Sequence, residues 1–153
     1  NPISCFFTSY YDQPEFLDLV EFLRYFPSGE LVTDEAEFEA LKADENWPFE
    51  ADATLDQMIV PIHKFSVAAI NEVLERYAGI SVADLTSREE SGELLYLEEQ
   101  DAFCNFSSDF GAGTFTCVRG ENRGDTVVLY SSESVLTLRK TGENYFIQSF
   151  LPI

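Results

Sequence analysis

A chain of 153 residues, 45% apolar and 24% charged, has the size and composition of one ordinary globular domain, which excludes wholesale disorder, collagen and coiled coil. Nine Lys and Arg against 28 Asp and Glu leave a formal charge of -19, which repels phosphate backbones and anionic lipid and argues against nucleic acid or direct membrane insertion. No run approaches the roughly 18 apolar residues of a membrane span. The chain opens on Asn1 rather than Met, pointing to processing or excision from a longer protein, with any targeting segment outside it.

The acids are unevenly placed: residues 12–56 hold 14 of them against Arg24 and Lys42. Within this region Asp12, Gln13 and Pro14 predict a helix start, with Glu15 and Asp18 against the positive end of the dipole. Phe16, Leu19, Val20, Leu23 and Phe26 recur at three and four and predict one buried stripe, ended by Pro27-Ser28-Gly29, with Asp18, Glu21 and Arg24 facing water. Asp34 with Glu37 three residues on is a capping-box pattern opening a second helix that buries Phe38 and Leu41. Residues 44–56 lack a period and predict an irregular connection anchored by Trp47 and Phe49. Residues 58–62 form a short β-type run ended by Pro61. Ser66 then caps a helix burying Val67, Ile70, Val73, Leu74 and Tyr77, closed by Gly79. Ser81 with Asp84 predicts one more helical turn through Leu85, followed by a polar loop over 86–92.

From Glu93 the period changes to two, and turn signals arrive at the spacing of successive antiparallel strands. Strands are predicted over 94–98, 101–106, 114–119, 126–131, 135–140 and 145–150, the first two as separate strands or one bent one. Turns are expected at 109–113, 120–125 and 141–144. Helices first and strands afterwards predict an α+β fold for a single domain over 1–153: a helical part over about 12–85 packed on one face of a curved antiparallel β-meander over about 93–151.

Four segments carry a resemblance: Cys5-Phe6-Phe7-Thr8-Ser9-Tyr10-Tyr11, Phe22-Leu23-Arg24-Tyr25-Phe26, Tyr77-Ala78-Gly79-Ile80-Ser81 and Tyr96-Leu97-Glu98-Glu99-Gln100-Asp101-Ala102-Phe103. With their order of elements, they resemble a family of uncharacterised proteins from Gram-positive, often gut-dwelling, bacteria. The resemblance implies a domain outside the cytoplasmic membrane, anchored as a lipoprotein or by a membrane segment beyond this chain. It implies no activity and assigns no site.

Catalytic constellations are sparse. His63 is the single imidazole and has no nucleophile signature beside it, so a structural role is expected. Asp109-Phe110-Gly111 copies a kinase letter pattern without the other kinase motifs and is expected to be a turn. The carboxylate pairs Glu98 with Asp101 and Asp101 with Asp109 are candidates for glycoside hydrolysis, but chance pairs are expected in so acidic a chain. Asp44, Glu45, Glu50, Asp52 and Asp56 are the candidate calcium ligands. Residues 52–56 lack the glycine and glutamate of an EF-hand loop, so a solvated acidic face is the plainer expectation, and no cofactor is expected. Arg123-Gly124-Asp125 has the letters of an adhesion tripeptide and of an ordinary turn.

Cys104 and Cys117 fall in neighbouring predicted strands and could pair, though two buried free thiols are the commoner arrangement. Phe103, Phe106, Phe115, Phe146 and Phe150 are expected to pack the sheet against the helices. Tyr10, Tyr11, Trp47 and Tyr96 are left as candidates for a sugar or peptide platform, with Trp47 and the two N-terminal tyrosines expected to be exposed. The expected function is non-catalytic binding, with a cationic peptide or a cell-envelope component as partner. The alternatives are a carboxylate-dependent hydrolase of an envelope polymer and a structural spacer.

Overall fold

Asp18, rather than Asp12, starts the first helix, because its carboxylate accepts the backbone N–H of Val20 at 3.0 Å and of Glu21 at 3.4 Å. The computed structural model describes residues 3–27, 29–106 and 113–153. In it Pro14–Phe16 form a separate 3-10 turn, Leu17 is extended, and α1 spans only Leu19–Arg24. The predicted stripe therefore loses Phe16, which is 49% exposed, while Leu19, Phe22, Leu23 and Phe26 are buried. Arg24 folds back on Glu21 at 3.3 Å instead of pointing freely into water. Ser28, within the expected stop signal, lies outside the described residues.

Helix α2, Glu35–Lys42, is capped by Asp34, whose carboxylate accepts from Ala36 at 2.8 Å and Glu37 at 3.1 Å. Glu37 does not complete a capping box, since its two carboxylate oxygens accept instead from Lys64 Nζ at 2.8 and 3.1 Å. Helix α3, Val67–Ala78, starts at Ser66, whose Oγ accepts from Ala69 N–H at 3.1 Å, and stops at Gly79 in the left-handed region at φ 69°. The predicted turn after it forms with a complete capping box between Ser81 and Asp84.

Among the described residues the strands make two four-stranded antiparallel sheets. The first has the order β1-β2-β4-β3, from β1 (Glu30–Leu31), β2 (His63–Ser66), β4 (Ala102–Asn105) and β3 (Leu95–Leu97). The second runs in chain order: β5 (Arg119–Asn122), β6 (Thr126–Tyr130), β7 (Ser134–Thr141) and β8 (Asn144–Pro152), with a bulge between Thr137 and Leu138. Tyr11 joins the outer edge of β8, exchanging two backbone hydrogen bonds of 2.9 Å with Phe150.

The expected α+β class is borne out, with helices early and strands late, but the strand pairing is richer than one meander. β3 and β4 form a hairpin that pairs back onto β2. The strand sought at 58–62 lies instead at His63–Ser66 and runs straight into α3, so His63 sits in β2 rather than ahead of the helix. Residues 114–118 are unpaired by strand ladders, and β5 begins only at Arg119, the last residue of the predicted strand, and runs on to Asn122 through the segment expected to turn. Arg123-Gly124-Asp125 does occupy the hairpin turn, with Gly124 at φ 83°.

Alternation along the first sheet feeds two cores. Phe65 and Phe103 face the main cluster, which joins Phe6, Phe22 and Leu23 to Ile70 and Leu74 of α3 and to Leu136, Ile147 and Phe150 of the second sheet. Leu95, Leu97 and Cys104 face the other way, onto Phe38 and Leu41 of α2 with Trp47 and Phe106 partly buried beside them. Phe115 packs on Phe7 and Phe150 as expected of a sheet-to-helix residue, although it is not in a strand. Asn105, the last residue of β4, belongs by alternation to the face of Phe103, and that places a carboxamide beside α1.

Candidate functional site

The C-terminal end of β4 and the flank of α1 leave a gap that the loop at 46–49 and the turn at 92–93 enclose. The result is a cavity of about 180 Å³ walled by Val20, Arg24, Pro48, Phe49, Gly92, Glu93, Asn105 and Phe106. Phe49 and Phe106 meet edge to face at 5.0 Å, and Trp47 braces both rings from behind at 5.2 and 5.7 Å. The Arg24 guanidinium is held by Glu21 and lies 4.0 Å from Glu93. Asn105 is 4% exposed, and its Oδ1 has no hydrogen-bond partner among the described residues. A buried carboxamide oxygen without a partner costs about 1–3 kcal/mol, so its position is an expense of the fold unless a visitor satisfies it.

Two open grooves meet at this cavity. The first shares Val20 and Glu93 with it and is lined by the carboxylates of Asp18, Glu21, Glu89, Glu90 and Glu93 over about 540 Å³. The second shares Pro48 and Phe49 and runs along Met58, Ile59 and Val60, where Ile59 is 98% exposed, with Glu50, Asp52 and Gln57 also lining it, over about 740 Å³. An acidic trough, a polar-bottomed cavity and an apolar shelf thus lie end to end. At the acidic end a hydrogen bond that the protonated Glu90 carboxyl donates to Asp44, together with burial, raises Glu90 above its ordinary value, while the Tyr96 backbone N–H, donating at 2.9 Å, partly offsets this.

The expected platform residues are dispersed. Tyr11 is buried and donates its hydroxyl to Phe6 O at 2.9 Å; burial pushes its pKa upward. Trp47 is half-buried, its Nε1–H donating to Glu50 O at 3.1 Å, so it supports the cavity wall rather than offering a free face. Tyr96 donates its hydroxyl to Asp101 at 2.6 Å, a contact that also occupies one acid of the Glu98 and Asp101 pair. Of the tyrosines and tryptophan expected to be exposed, Tyr10 is, at 54%. It stacks at 5.2 Å on Phe150 beside a separate, hydroxyl-rich groove of about 520 Å³ between Thr8, Thr116 and Ser132.

The candidate calcium ligands do not gather. Asp44 caps Asn46 N–H at 2.8 Å, Asp56 accepts from Thr54 Oγ1 at 2.7 Å, and Glu45, Glu50 and Asp52 are exposed along the loop. Among the described residues no three His, Cys, Asp or Glu side chains converge as a metal site. Asp109-Phe110-Gly111 lies outside the described residues. The cysteines are free thiols, and Cys117 is exposed rather than buried, because the segment carrying it is not in the sheet. Burial pushes the thiols of Cys5 and Cys104 up to about 12, so neither is a thiolate at neutral pH.

Sequence reasoning passed over Asn105, Gly92 and Glu93 and read Phe106 as a packing residue alone. A signal existed: Asn105 is a carboxamide closing the otherwise apolar run Ala102-Phe103-Cys104, where a buried polar group requires a partner. The partner surface could not be read, because α1 and residues 92–93 approach β4 only through tertiary packing. No family model, curated protein or solved structure matches this chain.

Proposed function

We propose that this is a non-catalytic binding domain for a cationic peptide segment, which lies along the acidic trough, across the cavity and onto the apolar shelf. The observation that carries this reading is the continuity of the three recesses, with five carboxylates at one end and Ile59 at the other. The charge of -19 draws such a partner in and raises its rate of encounter. The resemblance to anchored extracytoplasmic domains supports a place outside the cytoplasmic membrane, with a cell-envelope protein as the source of the peptide. No helix among the described residues is long and apolar enough to cross a membrane. Calorimetric titration with a capped pentapeptide carrying two lysines at one end and a leucine at the other tests the reading. Binding that weakens on going from 50 to about 300 mM salt is expected; absence of binding, or indifference to salt, would contradict it.

A second reading, a carboxylate-dependent hydrolase of an envelope polymer, is favoured by the hydrogen-bonded Glu90 and Asp44 carboxyls, one of which is raised. The pair lies by an open groove rather than a closed pocket. Turnover of cell-wall polymer by the wild type, lost in Glu90→Gln, would establish this reading in place of the first.

A further inference from the structure

Asn105 lines the cavity, its buried Oδ1 is without a partner among the described residues, and its carboxamide carries a donor beside that acceptor; one extended residue of a peptide complements both. A lysine ammonium has no acceptor for the carboxamide N–H, and a hydroxyl meets both groups only through one oxygen, whereas an extended peptide residue presents its own N–H and C=O side by side. The cavity's size agrees, since about 180 Å³ takes a peptide unit and a small side chain but not a folded surface or a drug-sized ligand. Phe49, Phe106 and Val20 provide apolar walls for the flanking carbon atoms.

We infer that the Asn105 carboxamide is the docking point for the backbone N–H and C=O of one residue of an extended partner segment, held at the junction of the acidic trough and the apolar shelf. The inference rests on the peptide-binding reading above and adds its chemistry: recognition at the centre is of main chain, so side-chain preference comes from the two flanking recesses. Lysine or arginine is favoured on the trough side, an aliphatic residue on the shelf side, and a small residue over the cavity. Proline at the docked position is rejected, because it lacks the N–H.

The test uses the same pentapeptide in both chain directions and a series in which each peptide N–H in turn is replaced by an ester oxygen. One ester position is expected to weaken binding about tenfold, the loss of one buried hydrogen bond that leaves its partner unsatisfied. In Asn105→Leu the penalty at that position should vanish, because the acceptor is gone. The same variant should melt about 2–4 °C higher than the wild type, since an unpartnered buried oxygen has been replaced by an apolar group of similar size. Gly92→Leu is a second variant that leaves Asn105 in place. A Cβ at Gly92 comes no nearer than 3.7 Å to Pro48, so the residue is accommodated while its side chain narrows the cavity, and peptide binding should weaken.

N-methylacetamide, titrated while the Asn105 side-chain amide resonance is followed, reads the cavity without the flanking grooves. Peptide binding that is equally tight for every ester and for Asn105→Leu would overturn the inference and leave the peptide-binding reading standing. A shift of Asn105 with N-methylacetamide but no binding of any peptide would overturn that reading while supporting amide recognition. Silence of both probes would overturn both.

Discussion

Burial decides the chemistry of individual side chains. Cys5 and Cys104 are sealed in the two cores and protonated at neutral pH, while Cys117 is exposed with its thiol 3.2 Å from Arg119 O. A thiol reagent such as DTNB should therefore titrate one cysteine in the native protein and three after unfolding; rapid reaction of two or more in the native state would contradict the buried assignment. Glu90 behaves differently. Its folded pKa is raised, so the folded state takes up a proton at a pH where the unfolded chain has not, and the stability it contributes falls as pH rises between the ordinary carboxylate value and the raised one. Glu90→Gln keeps the acceptor for Tyr96 N–H and removes the repulsion from Asp44. The variant should be more stable than the wild type at neutral pH, with the difference shrinking as pH is lowered through that window. A difference constant with pH would show that Glu90 is not so coupled.

Individual elements are held by caps and by cross-element ion pairs, of which Lys64 with Glu37 is the shortest among the described residues. The helix boundaries that carry a local chemical device, Asp34, Ser66, Gly79 and Ser81 with Asp84, lie where the sequence places them, because each acts through the backbone within four residues. The start of α1 moves because Asp12 and Asp18 are both competent caps, and an extended Leu17 between them decides in favour of the second. The pairing of β2 with β4 has no local signature at all, since the partners are some forty residues apart. It is stabilised from the side by Lys64 of β2, which reaches Glu37 of α2 at 2.8 Å with both side chains largely buried. This hydrogen bond holds the Lys64 ammonium above its usual value, so its contribution is fully present below the ordinary lysine range and is lost only as pH climbs past it. Lys64→Met leaves Glu37 buried and unpaired and should cost about 2–4 kcal/mol in urea unfolding, whereas Glu37→Leu with Lys64→Met together should recover most of it. Equal losses in the single and double variants would mean that the pair does not act as a unit.

At the scale of the whole molecule the charge of -19 is the dominant fact, and it was fully legible from composition. Its organisation into a trough was not, because Asp18, Glu21, Glu89, Glu90 and Glu93 come from two segments that meet only in the folded chain. The same holds for Asn105, visible as an anomaly in an apolar strand but meaningful only once Val20 and Phe49 close over it. Crowded acids repel one another, so the melting temperature should rise with moderate sodium chloride. Calcium and magnesium at matched ionic strength should act alike, and a rise specific to calcium would point to an ion site that the positions of Asp44, Asp52 and Asp56 do not suggest. The central claim is that one face of this molecule binds a cationic peptide chain. Amide chemical-shift mapping with the lysine-bearing pentapeptide tests it most directly. Shifts concentrated at Val20, Glu21, Phe49, Gly92, Glu93 and Asn105 are the predicted result; shifts confined to the Tyr10 groove, or none at saturating peptide, would contradict it.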